Sequence, residues 1–81
     1  MEYFAGMRFK RFDREFRSKK GSLTDALSIA EVGAGQSYFD VSVYAVTEKI
    51  VVRIPYRVLC SLSDEDSKRA LIEERVARKQ S

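Results

Sequence analysis

The stretch YFDVSVYAV, residues 38–46, sets Phe39, Val41, Val43 and Ala45 in alternation with Asp40, Ser42 and Tyr44. Period two turns successive side chains to opposite faces, so the apolar set shares one buried face of a strand. A second run, IVVRI, places Ile50, Val52 and Ile54 on one face and Val51 and Arg53 on the other. β-branched and aromatic content supports both strands. The short connection TEK between them makes a hairpin over residues 38–54, although it lacks the Asn-Gly or Gly of the tightest hairpin turns. A hairpin with one apolar face is not stable alone and needs a covering layer.

The rest of the chain supplies helices for that layer. Pro55 ends the second strand and fits the first position of a helix, so PYRVLCSL reads as a short helix with Val58, Leu59 and Leu62 on one side. Ser63 is placed to cap a helix over about 63–79. Asp64, Glu65 and Asp66 open it, and Arg75, Arg78 and Lys79 close it, in the order that complements the helix dipole. Asp64–Lys68, Glu65–Arg69 and Glu74–Arg78 are acid-first i,i+4 pairs. Its apolar stripe is narrow, consisting of Leu71, Ile72 and Val76. Residues 22–36 admit two readings. Ser22 as cap, Asp25, the face Leu23, Ala26, Leu27 and Ala30, and Gly33 as terminator make a helix, whereas Leu27 and Ile29 alternating with Ser28 and Ala30 make a strand. The helix is the preferred of the two readings, and GAGQS is a loop in either.

Residues 7–20, MRFKRFDREFRSKK, hold seven basic side chains and three phenylalanines. On a helix from about Arg8, Phe9, Phe12 and Phe16 share one stripe, and Lys10, Arg11, Arg14 and Arg17 gather opposite. That reading sends the rings into the core and leaves the cations outside. Before it, Tyr3, Ala5, Met7 and Phe9 alternate, and Gly6 weakens a helix, which suits a short strand. The expected fold is α+β: a small antiparallel sheet or hairpin packed on two to four helices, in one domain over residues 1–81.

Charge is uneven. Residues 1–22 carry seven basic and three acidic groups, for +4, and the remainder nearly cancels. Such asymmetry points to an anionic partner. The chain has no histidine and a single cysteine, Cys60, which removes internal disulfides, His-based nucleophilic triads and the usual zinc sites. Cys60, beside Leu59 and Leu62, reads as a buried, inert thiol. No cofactor, metal or catalytic residue is expected. No apolar run approaches a membrane span, and the opening residues lack the basic-then-apolar order of a signal peptide, so a cytoplasmic setting is expected. So small a chain without staples is expected to gain stability as a homo-oligomer or on a larger partner.

KIVVRIPYRVL, residues 49–59, together with Ser67 and LIEE at 71–74, resembles the strand-to-helix junction and second helix of ribbon-helix-helix DNA-binding proteins of the Arc and MetJ type. The resemblance implies two chains pairing their strands into a ribbon that enters the DNA major groove. Lys49, Val51 and Arg53 would face outward, with Lys49 and Arg53 on phosphates or guanine edges. The candidate binding residues are therefore Lys10, Arg11, Arg14, Arg17, Lys49 and Arg53. The expected function is a small non-catalytic nucleic-acid-binding regulator. The alternative is a protein-binding adaptor or inhibitor of a larger, for example nucleic-acid-processing, complex of the kind phages and mobile elements encode.

Overall fold

A computed structural model describes residues 1–9, 14–36 and 38–81 of the chain. The elements run β1 (Glu2–Phe9), β2 (Glu15–Arg17), α1 (Leu23–Gly35), β3 (Tyr38–Val46), β4 (Val51–Pro55), α2 (Tyr56–Leu59) and α3 (Glu65–Gln80). The strands form one antiparallel sheet in the order β2-β1-β3-β4. The fold is α+β, as the sequence predicts.

One face of this sheet carries Tyr3, Ala5 and Met7 from β1, Val43 and Ala45 from β3, and Val52 and Ile54 from β4. These join Leu23, Ala26 and Ala30 of α1, Leu59 of α2, and Ile72 and Val76 of α3 in a single buried cluster. All three helices therefore lie on the same side. Among the described residues no helix lies on the opposite side, and this asymmetry positions the candidate site.

Local chemistry explains the boundaries. Ser22 Oγ accepts from the Asp25 backbone N–H at 3.1 Å, which caps α1 and settles residues 22–36 as helix. Gly33 does not terminate α1, which continues to Gly35. It lies inside the last turn against Met7, where an added Cβ would stand 2.5 Å from the Met7 sulfur. The glycine thus lets helix and sheet approach closely. In the β3–β4 connection the Thr47 hydroxyl does the work of the missing Asn-Gly. Its Oγ1 accepts from Lys49 N at 3.2 Å and Ile50 N at 3.1 Å. At α3 the cap is Asp64 rather than Ser63: Asp64 Oδ2 accepts from Ser67 N at 3.3 Å. The Glu65–Arg69 and Glu74–Arg78 pairs form as expected. Being exposed, they contribute little. Burying Ile72 and Val76, at roughly 1.5–3 kcal/mol each, is what docks this highly charged helix.

The sequence expectation fails at the N-terminus. Residues expected to begin a basic helix near Arg8 instead form the end of β1 and, after the connection, β2, with Met7 opposite Phe16 and Arg8 opposite Glu15. The alternation from Tyr3 to Phe9 holds as a strand. The phenylalanines are not the core: Phe9 is 36% exposed and Phe16 is 55% exposed, while Phe12 lies outside the described residues. The core is filled instead by Tyr3, Met7 and aliphatic side chains from the sheet and helices. Cys60 is likewise exposed rather than buried, with its Sγ–H directed at the Arg57 carbonyl.

Candidate functional site

On the helix-free face the alternation of β1 presents Phe4, Gly6 and Arg8. β3 presents Ser42 and Tyr44, β4 presents Arg53, and β2 presents Glu15 and Arg17. Phe4 and Tyr44 are register partners. Their rings stack at 4.6 Å with planes 9° apart, and both are buried. Offset stacking of this kind adds about 0.5–1.5 kcal/mol beyond area burial. Gly6 makes room for the arrangement, since a Cβ there would meet the Tyr44 ring at 2.7 Å.

Glu15 ties the pair to Arg17. The Tyr44 hydroxyl donates to Glu15 Oε2 at 2.9 Å, and Arg17 Nε donates to Glu15 Oε1 at 2.6 Å. The Arg17 guanidinium sits 5.7 Å from the Phe4 ring centroid and 5.5 Å from that of Tyr44, within cation–π range. Its side chain is still 62% exposed. The Nε edge is engaged, and the outer edge of the fork points to water.

The electrostatics show which cations converge here. Burial pushes the Glu15 carboxyl up. The hydrogen bonds from Arg17 and Tyr44, with the positive charges of Arg17 and Arg8, outweigh it and leave Glu15 below its ordinary 4.5. Burial, then the Glu15 hydrogen bond and charge, raise Tyr44 above its ordinary 10.0, against the pull of Arg53 and Arg17. Arg8 and Arg17 thus act on the half-buried Glu15, and Arg53 and Arg17 on the buried Tyr44, with Arg8 register-paired to Glu15 and Arg53 to Tyr44. From β2 to β4 the face spans three strand spacings, about 14 Å.

β3 departs from regular pairing beside this cluster. Ser42 pairs with Gly6 but Phe39 pairs with Arg8, so three steps on β3 match two on β1. The extra residue makes a β-bulge, and Asp40 sits in it at φ 52°, in the left-handed region. The bulge inverts the alternation beyond it. Strict period two puts Phe39 on the buried face with Val41, Val43 and Ala45. Instead, Tyr38 turns inward to pack against the core and Phe39 turns outward beside Arg8, 43% exposed.

Of the residues singled out from sequence, Arg17 and Arg53 stand on this face, on its two outer strands β2 and β4. Arg14 is exposed in the β1–β2 connection, where it borders a cavity of about 490 Å³ with Phe9, Glu15, Phe16 and Tyr38. Lys49 is exposed at the β3–β4 turn, beside Lys79 and Gln80. Lys10 and Arg11 lie outside the described residues. Sequence reasoning missed Arg8 as part of the site because it fell outside the assumed helical face. It missed Phe39 because alternation hid it. The available signal was Asp40, a residue depleted in strands and tolerant of the left-handed region.

A second feature lies on the helix side of the same sheet end. Phe9 and Tyr38 meet edge-to-face at 5.4 Å. Phe16 and Tyr38 also border a cavity of about 330 Å³ with Met7, Ile29 and Val32. Among the described residues, no group of three or more His, Cys, Asp or Glu side chains is placed to hold a metal ion. Nor is any helix there long and apolar enough to cross a membrane. No family model, curated protein or solved structure matches this chain.

Proposed function

We propose that this protein is a small, non-catalytic nucleic-acid-binding regulator, and that its helix-free sheet face grips the sugar–phosphate backbone. The observation that carries the reading is the convergence of Arg8, Arg17 and Arg53 on one uncovered face. Arg17 contributes most. Its fork is held from behind by Glu15 and presents its outer edge to solvent, so little side-chain freedom is lost when an oxyanion binds. Lys10, Arg11, Arg14 and Lys49 belong to the reading as further cations that add long-range attraction. The setting we propose is cytoplasmic, supported by an exposed, unpaired Cys60.

The test is binding of a fluorescein-labelled 20-nucleotide oligomer, single-stranded or duplex, at low salt by anisotropy. The wild type binds at micromolar protein or below, and the triple variant R8E/R17E/R53E loses binding while keeping its circular-dichroism spectrum. Absence of wild-type binding to every DNA and RNA form contradicts the proposal.

A second reading, an adaptor or inhibitor that docks on a larger protein, is favoured by the exposed Phe16 and Val32 around the apolar cavity on the helix side. Partners that come down with the protein after nuclease treatment, and are lost on Phe16→Asp, support it. Partners that vanish with nuclease exclude it. We further propose a homo-oligomer that pairs through β4, the terminal strand of the sheet. A monomer mass by light scattering at working concentration contradicts that arrangement.

A further inference from the structure

The nucleic-acid reading leaves the form of the ligand open, and the bulge in β3 bears on it. Resting on that reading, we infer that Phe39 is a base-stacking residue and that the ligand of this face is single-stranded nucleic acid. Three described aromatic side chains stand on the helix-free face. Phe4 and Tyr44 are stacked on each other and buried, so neither offers a ring to a ligand. Phe39 is 43% exposed and register-paired with Arg8, which is itself close enough to influence Glu15. An exposed ring beside a cation, on a face already basic, is the pairing that single strands use: the cation takes the phosphate and the ring takes the base. In a duplex the bases are stacked inside and offer no face to a protruding phenylalanine.

The backbone gives an independent reason. Phe39 would lie on the core face if β3 ran regularly, next to Val41 and Val43. It reaches the outer face through an inserted residue, and that residue is a non-glycine at φ 52°. A left-handed non-glycine residue is disfavoured and persists where the surrounding structure imposes it. Bulges recur beside functional sites because they re-aim a side chain. Stability alone would bury Phe39 rather than expose it.

The experiment uses Phe39 itself. The chain contains no tryptophan, so Phe39→Trp installs a sole indole at the site. An unlabelled 20-nucleotide single strand quenches this indole on stacking, and an equal-length duplex does not. In parallel, Phe39→Ala weakens single-strand binding by roughly 5- to 150-fold, the range that stacking of one base supplies. It leaves duplex binding within about twofold of the wild type. Asp40→Gly, which keeps the left-handed bulge, binds single strands as the wild type does. Three results overturn the inference while the nucleic-acid reading stands: equal single-strand affinity for Phe39→Ala and wild type, an unquenched indole in a bound complex, or tighter binding of duplex than of single strand by the wild type. A wild type that binds no nucleic acid overturns both.

Discussion

Gly6 controls whether the cluster behind Arg17 can form, so Gly6→Ala probes its packing directly. The new Cβ would stand 2.7 Å from Tyr44 Cε2 and 3.2 Å from the Glu15 carboxyl carbon and Oε1. The Tyr44 contact is 0.7 Å inside the 3.4 Å at which ordinary contact begins. Tyr44 cannot yield easily. It is stacked on Phe4, bonded to Glu15 and set in the central strand β3. Overpacking of this kind costs about 1–3 kcal/mol. Replacing a strand glycine by alanine returns about 0.5–1 kcal/mol of chain entropy. The net expectation is a loss of roughly 1–2 kcal/mol, and for a domain of this size each kcal/mol lowers Tm by about 4–8 °C. Gly35→Ala is the control, because nothing lies within 4 Å of a Cβ there and the substitution should be neutral or mildly stabilising. Urea and thermal melts of both variants decide the matter. A Gly6→Ala protein as stable as Gly35→Ala would refute the account of the cluster as a tightly packed unit.

Other perturbations report on the same network. Glu15 is more acidic in the folded chain than its ordinary 4.5, so its contribution is fully present above that value and is lost as pH falls through the folded value. Urea midpoints of the wild type should drop below about pH 4.5 more steeply than those of Glu15→Gln, and parallel curves would contradict this. Tyr44 titrates above its ordinary 10.0, so its share persists below pH 10 and disappears as pH rises through the folded value. Tyr44→Phe should flatten that alkaline arm of the stability curve, and an unchanged arm would count against it. Ser22→Ala should destabilise the chain by about 1 kcal/mol through loss of the α1 cap, as read from urea midpoints. Cys60, exposed beside α2, should react fully with a thiol reagent in native buffer, and protection until unfolding would contradict its placement.

Much of the fold is legible in the sequence where one periodicity has one meaning. The 38–54 hairpin follows from alternation, α1 matches the helical one of two readings of residues 22–36, and α3 follows from its charge order and narrow apolar stripe, its cap one residue later than expected. The N-terminal hairpin is not legible, because the spacing of Phe9 and Phe16 fits two geometries. On a helix, residues seven apart share a stripe. In this hairpin Met7 faces Phe16, so Phe9, two residues along, is its diagonal neighbour on the same face. The pattern thus identifies a shared face without identifying the element. The connecting residues are rich in charge and offer no turn signature of the Asn-Gly kind.

The site was partly legible for a related reason. Arg17 lies in a basic run and Arg53 within an apolar strand, but their placement on one face depends on strand order, which puts β1 between β2 and β3. Pairing of β1 with β3 spans about forty residues of sequence, and no local pattern reports it. Phe39 was hidden by one inserted residue, because a one-residue change of register exchanges the two faces of a strand. β4 ends at Pro55 and leads directly into the four-residue α2, and β4 pairs with β3 of the same chain.

The central claim is that Arg8, Arg17 and Arg53 hold phosphates. Neutralising a phosphate releases a counterion, so log affinity falls with log salt by about 0.7 per contact on a single strand. The decisive measurement is that slope for the wild type and for Arg17→Ala and Arg53→Ala. Three contacts predict a wild-type slope near −2, shallower by about 0.7 in each variant. A slope indifferent to both substitutions would place the grip elsewhere and contradict the account.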